Sequence, residues 1–289
     1  MITTLKLWFT TLKATVINLR AFMVFAVIYA LLLVSAYFFI ATREATVGQV
    51  FVTYALLFLL PAEFLLFQAS ILSHALDRKF NWRAIVVNAF KCFVVTIPIV
   101  LIAWGIYFLL NKWQLRYPSP AVVLNISSNP PESPAVDWTT LLFGTLRFFL
   151  FGVVLPLAAI HLWIEVTACN LRESLRNGLK TILNRLGRRF SIAFASESVL
   201  IYALGLVFFA LVPYLLLFVP IPVKGNKTDF TVFILRLLLS FVFTLIGWVV
   251  TLSTLARSTS AAPQTRQVIA TDANAGTPSI AEAPSPVSG

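Results

Sequence analysis

Six blocks of roughly 20 residues, at about 21–40, 49–72, 92–110, 140–165, 193–219 and 231–254, are almost purely apolar, and that repetition limits the chain more than any motif it carries. A helix rising about 1.5 Å per residue needs about 20 apolar residues to cross a hydrocarbon core of roughly 30 Å. The expected fold class is therefore an all-α membrane protein with six transmembrane helices arranged as three hairpins. Composition agrees, since 59% of the 289 residues are hydrophobic and only 11% are charged, whereas about a quarter of a soluble domain is charged. Little chain is left over for a soluble domain.

The remaining charges stand beside the spans and set their direction. Lys6, Lys13, Arg20, Arg78, Lys79, Arg83, Lys91, Arg172, Arg176, Lys180, Arg185, Arg188, Arg189, Arg257 and Arg266 fall on one side, 15 in all, against 5 on the other, Arg43, Lys112, Arg116, Lys224 and Lys227. Basic loops stay in the cytoplasm, so both termini are expected there, in a bacterial cytoplasmic (inner) membrane. A net charge of +11 could suggest nucleic acid, but the bases are not gathered in a polar domain with aromatic platforms. Anionic lipid headgroups are the expected partner. A protein partner cannot be named from the residues.

Three basic segments have helical spacing and precede outward-going spans. In residues 2–20, Leu5, Trp8, Phe9, Leu12, Val16 and Leu19 recur at three- and four-residue steps, with Lys6, Lys13 and Arg20 seven apart. In residues 80–91, Trp82, Ile85, Val86, Ala89 and Phe90 repeat the pattern beside Arg83, and in residues 171–192 Leu171, Leu175, Leu179, Ile182 and Leu186 do so beside Arg172, Arg176, Lys180, Arg188 and Arg189. Each reads as an amphipathic helix on the inner leaflet, with Lys6, Lys13, Arg83, Arg172, Arg176, Lys180, Arg188 and Arg189 as headgroup contacts. The shared pattern suggests a threefold internal repeat of surface helix, outward span, loop and inward span. The bundle is thus expected over 1–256, and the Ala-, Ser-, Thr- and Pro-rich residues 257–289 as a disordered cytoplasmic tail.

Ionisable residues within a membrane are costly, so they are where chemistry is sought first. Glu63, Ser70 and His74 descend one face of the second span; Arg147, His161 and Glu165 share a face of the fourth; Arg236, Ser240, Thr244, Gly247, Thr251 and Thr254 line the sixth; and Glu197 stands near the start of the fifth. The candidate polar seam is therefore Glu63, Arg147, His161, Glu165, Glu197 and Arg236, with Arg147, Arg236 or His161 as partners for Glu63. Two bland readings compete with it: arginines snorkelling to the outer surface, and small residues packing helices closely. Prolines 61, 98, 156 and 213 bend their spans, for packing or as hinges. No HExxH, paired CxxC, Gly-rich phosphate loop or GxSxG is present, so no enzyme activity, cofactor or metal site is expected. Cys92 and Cys169 read as free thiols.

Stretches such as RESLRNGLKTILNRLGRRF leading into a span resemble a loose group of bacterial multi-span proteins that includes the membrane domain attached to glycerophosphodiester phosphodiesterases. The resemblance covers roughly residues 5–255 and implies a six-helix inner-membrane bundle, with no catalytic residue to carry over. The expected function is a structural or lipid- and envelope-associated bundle. The alternative is a small proton- or ion-coupled transporter working through the seam around Glu63.

Overall fold

The structure is a computed structural model that describes residues 2–42, 46–117, 138–168, 193–219 and 226–275, with the side chains of the last helix described from 228 to 259. Every regular element among them is helical. In chain order these are α1 (Ile2–Ile17), α2 (Leu19–Ala41), α3 (Val47–Asp77), α4 (Trp82–Gln114), α5 (Trp138–Ala168), α6 (Ser196–Phe218) and α7 (Asn226–Ala275). Six of them, with α7 counted over Thr228–Thr259, are long and apolar enough to cross a membrane, which is the architecture of a multi-pass membrane protein.

Side chains at the helix ends explain several boundaries. Asn18 caps α2 by accepting the Ala21 N–H, and Thr46 and Gln49 close a reciprocal capping box at the start of α3, each satisfying donors that the first helical turn leaves free. Arg78 ends α3 in the left-handed region at φ 54°. Pro156 and Pro213 lie just after π turns, Leu150–Val154 and Val207–Leu211. A proline clashes with the carbonyl four residues back and offers it no N–H, and a π turn accommodates that mismatch without breaking the span. The Gly152 carbonyl, four residues before Pro156, accepts the Tyr202 hydroxyl of α6 at 2.9 Å.

Contacting residues rise along one helix as they fall along its neighbour. In α2 and α3, Phe25 meets His74, Tyr29 meets Phe67 and Ser35 meets Glu63. In α4 and α5, Thr96 meets Trp163, and Asn111 meets Arg147. Asn88 of α4 also donates to Ser73 of α3 at 3.1 Å. The third helix packs on α2, α4 and α7, so it and α7 form the centre. The buried core lies towards the end bearing Asn18, Arg78 and Arg257, hereafter the basic end: Leu65, Phe67, Ile71 and Leu72 of α3, Leu157 and Ile160 of α5, Ile201 of α6, and Leu245, Leu252 and Leu255 of α7. Only 6% of the most apolar stretch of α4 is buried within the chain, so most of it is left to face lipid.

The basic segments depart from the expected surface helices. On α1, which packs on α7, the buried residues are Thr4, Trp8 and Thr11; of the expected apolar face Trp8 is buried, whereas Phe9 and Val16, and Leu19 at the start of α2, are exposed. Residues 82–91 are the first turns of the 33-residue α4 and not a helix of their own. Their inward stripe is Ile85, Asn88 and Cys92, with Trp82, Val86 and Phe90 exposed. A sequence stripe chosen by hydropathy fails here because the surrounding lipid is itself apolar, so the inward face is chosen by size and hydrogen bonding. The third segment, with Arg172, Arg176, Lys180, Arg188 and Arg189, lies outside the described residues, as does Cys169. Lys6, Lys13 and Arg83 are exposed. The last helix continues to Ala275, past the position 257 at which the tail was expected to begin.

Candidate functional site

Glu63 opens the buried half of α3. Most residues from 47 to 62 are exposed, whereas from Glu63 to Ala75 most are buried. Glu63 is 7% exposed, and the Ser35 hydroxyl of α2 donates to its Oε1 at 3.1 Å. Its Oε2 has no hydrogen-bond partner among the described residues. None of the three partners expected for it reaches it by a hydrogen bond.

The arginines are engaged elsewhere. Arg147 donates to Asn111 Oδ1 at 2.5 Å and Gln114 Oε1 at 2.7 Å, and its guanidinium carbon lies 5.8 Å from the centre of the Tyr107 ring. These partners belong to the far half of α4, so Arg147 ties α5 to α4 near their ends. Arg236 donates to the backbone carbonyls of Leu216 and Val219. It thereby satisfies acceptors that the last turn of α6 leaves free. Glu197 is exposed in the first turn of α6, where a negative charge complements the helix dipole. His161 is 1% exposed and Glu165 half-buried, one turn apart on α5. The six seam residues therefore do not share one cluster of contacts. Among the described residues, no group of three His, Cys, Asp or Glu gathers as a metal site.

The polar stripe of α7 is a packing face. A Cβ added to Gly247 would lie 2.8 Å from the backbone nitrogen of Phe209, and one added to Gly205 would lie 2.1 Å from Thr251 Oγ1. The small residues therefore let α6 and α7 approach closely, the role such residues commonly have between membrane helices. Thr251 and Thr254 donate to the carbonyls of Gly247 and Val250 in their own helix, and Ser240 Oγ bonds the Pro213 carbonyl at 3.4 Å. Gln68, fully buried on α3, accepts Trp248 Nε1 at 2.8 Å.

Sequence reading missed a different grouping at the basic end. His74, counted with Glu63, and Arg78 and Arg257, counted only for orientation, line one cavity of about 180 Å3 with Asn18 and Ser253. The sequence signal was weak: a basic residue one turn after His74, and another closing the last span. Only the pairing of α3 with α7 joins them.

No family model, curated protein or solved structure matches the chain. The geometry of its own residues therefore carries the functional reading.

Proposed function

We propose that this is a non-enzymatic multi-span protein of a bacterial cytoplasmic membrane, with both termini inside, that acts as a lipid-associated structural bundle. In this reading the six spans are three hairpins, and the basic segments before them hold the bundle to anionic headgroups. One observation carries it: the polar stripe that would line a solute path is closed by contact, with Gly205 against Thr251 and Gly247 against Phe208 and Phe209. Arg147 and Arg236 support the same reading, because each is spent on bonds within the bundle. Reconstitution of the full chain in neutral and in anionic lipid tests it. Greater thermal stability in anionic lipid is expected, and equal stability in both would remove the lipid role.

A second reading, a proton- or ion-coupled transporter, is favoured by the lone Oε2 of Glu63. If Glu63→Gln leaves uptake unchanged for every solute that the wild type moves in vesicles, this reading fails.

A further inference from the structure

The cavity at the basic end is cationic and holds no carboxylate. Its polar lining is Thr15 of α1, Asn18 between α1 and α2, His74 and Arg78 at the end of α3, and Ser253 and Arg257 of α7, beside apolar residues that include Phe25 and Val249. Asp77, next to Arg78 in sequence, is exposed and does not line it. Among the described residues, Arg257 hydrogen-bonds only the Thr11 hydroxyl, at 3.5 Å. The Arg78 guanidinium makes no hydrogen bond to any described residue. Arg147 and Arg236 differ, since each donates to two oxygen acceptors within the bundle. Two guanidinium groups facing one cavity repel each other unless an anion lies between them.

Three details prepare these groups. The left-handed turn at Arg78 is one that glycine adopts with less strain, so arginine at this position adds a charge at a conformational cost. The His74 ring is stacked on Phe80 at 4.9 Å and met edge-on by Phe25 at 5.6 Å, which fixes its orientation. The Asn18 side-chain oxygen is occupied by the Ala21 N–H at 3.2 Å, which leaves its amide donors available. Arginine forks match phosphate oxygens in geometry and charge. At about 180 Å3 the cavity falls below the roughly 300–1,000 Å3 of pockets that enclose drug-sized molecules, so it suits a phosphate group and not a nucleotide.

We propose that this cavity binds a phosphate group through Arg78, Arg257 and His74, with Ser253 and Asn18 as further donors. The proposal deepens the lipid-associated reading and rests on it for the biological source, which is either an anionic lipid headgroup or free phosphate. The test uses the full chain in a maltoside detergent, which carries no phosphate, at constant ionic strength. Inorganic phosphate and dioctanoyl phosphatidic acid are titrated separately while the thermal unfolding midpoint is followed.

A saturable rise with at least one probe is expected, because a ligand that binds only the folded state stabilises it. A rise with phosphatidic acid alone assigns the site to a headgroup, and a rise with inorganic phosphate shows that the free anion suffices. Arg257→Gln and Arg78→Gly should each weaken binding by about 10- to 100-fold. Arg78→Gly also relieves the left-handed strain, so its unliganded midpoint should not fall and its loss of binding cannot be attributed to misfolding. Lys112→Gln, exposed at the far end of α4 and outside the cavity, should leave binding unchanged. The proposal is overturned if neither probe moves the midpoint, or if Arg78→Gly and Arg257→Gln respond as the wild type does. If anionic lipid stabilises wild type and both variants equally, the lipid role survives without this site. If inorganic phosphate binds in an arginine-dependent way while anionic and neutral lipids stabilise equally, the site survives without the lipid role.

Discussion

Single residues show how differently glycines act in one bundle. Gly144 has open space where a Cβ would go, whereas a Cβ added to Gly247 would lie 2.8 Å from the Phe209 backbone nitrogen and one added to Gly205 would lie 2.1 Å from Thr251 Oγ1. Gly144→Ala should be neutral or slightly stabilising, because alanine is the better helix former by about 1 kcal/mol. Gly247→Ala should destabilise by roughly 1–3 kcal/mol through overpacking. Gly205→Ala should cost less, since Thr251 can rotate away from the added methyl, whereas the backbone at Phe209 cannot. Denaturation of the three variants in one mild detergent gives the order, and equal midpoints would contradict the close approach of α6 and α7. This face was legible in the sequence as a spacing of small and hydroxyl residues. Whether such a stripe faces a path or a partner helix depends on the residues opposite, and Phe208 and Phe209 are some 40 positions away in the chain.

At the scale of elements, the spans could be read and their inward faces could not. The number and approximate limits of the apolar blocks follow from length and hydropathy alone, and helices cover the described parts of all six. Burial did not follow the hydropathy stripes on α1 or at the start of α4, where Thr4, Thr11 and Asn88 turn inwards and Phe9 and Phe90 outwards. Prolines were visible as interruptions, but the π turns before Pro156 and Pro213 were not, because they answer a misfit that only the folded helix meets. The Tyr202 hydroxyl on the Gly152 carbonyl is the matching tertiary repair. Tyr202→Phe should therefore cost about 0.6 kcal/mol, the average for a hydrogen bond between membrane helices. In a Pro156→Ala background the restored N–H supplies that carbonyl, and the same change should cost less. A double-mutant cycle measures the difference; full additivity would mean that Tyr202 acts independently of the proline.

For the whole molecule, the charge bias along the chain set an expected orientation, while the placement of α1 was beyond sequence reasoning. A basic amphipathic helix can rest on a lipid surface or dock on its own bundle, and the two alternatives share one hydropathy pattern. Here Trp8 is 1% exposed and lies 4.7 Å, ring centre to ring centre, from Phe208 in the π turn of α6, and Thr11 is within reach of Arg257 on α7. The first helix thus bridges the two helices that follow the basic 171–192 segment, which ties the start of the chain to its last spans. Trp8→Ala should destabilise the bundle by an amount at or below the roughly 3–5 kcal/mol of such truncations in water-soluble cores. The upper bound holds because lipid tails can cover an apolar face that in a soluble protein would meet water. Lys6→Gln and Lys13→Gln should leave stability in neutral detergent unchanged, since both side chains are exposed. If α1 instead lies free on the membrane, Trp8→Ala will leave the unfolding midpoint in detergent unaltered and the lysine changes alone will lower vesicle binding. Thermal denaturation and vesicle flotation of the same variants therefore separate a docked helix from a surface anchor.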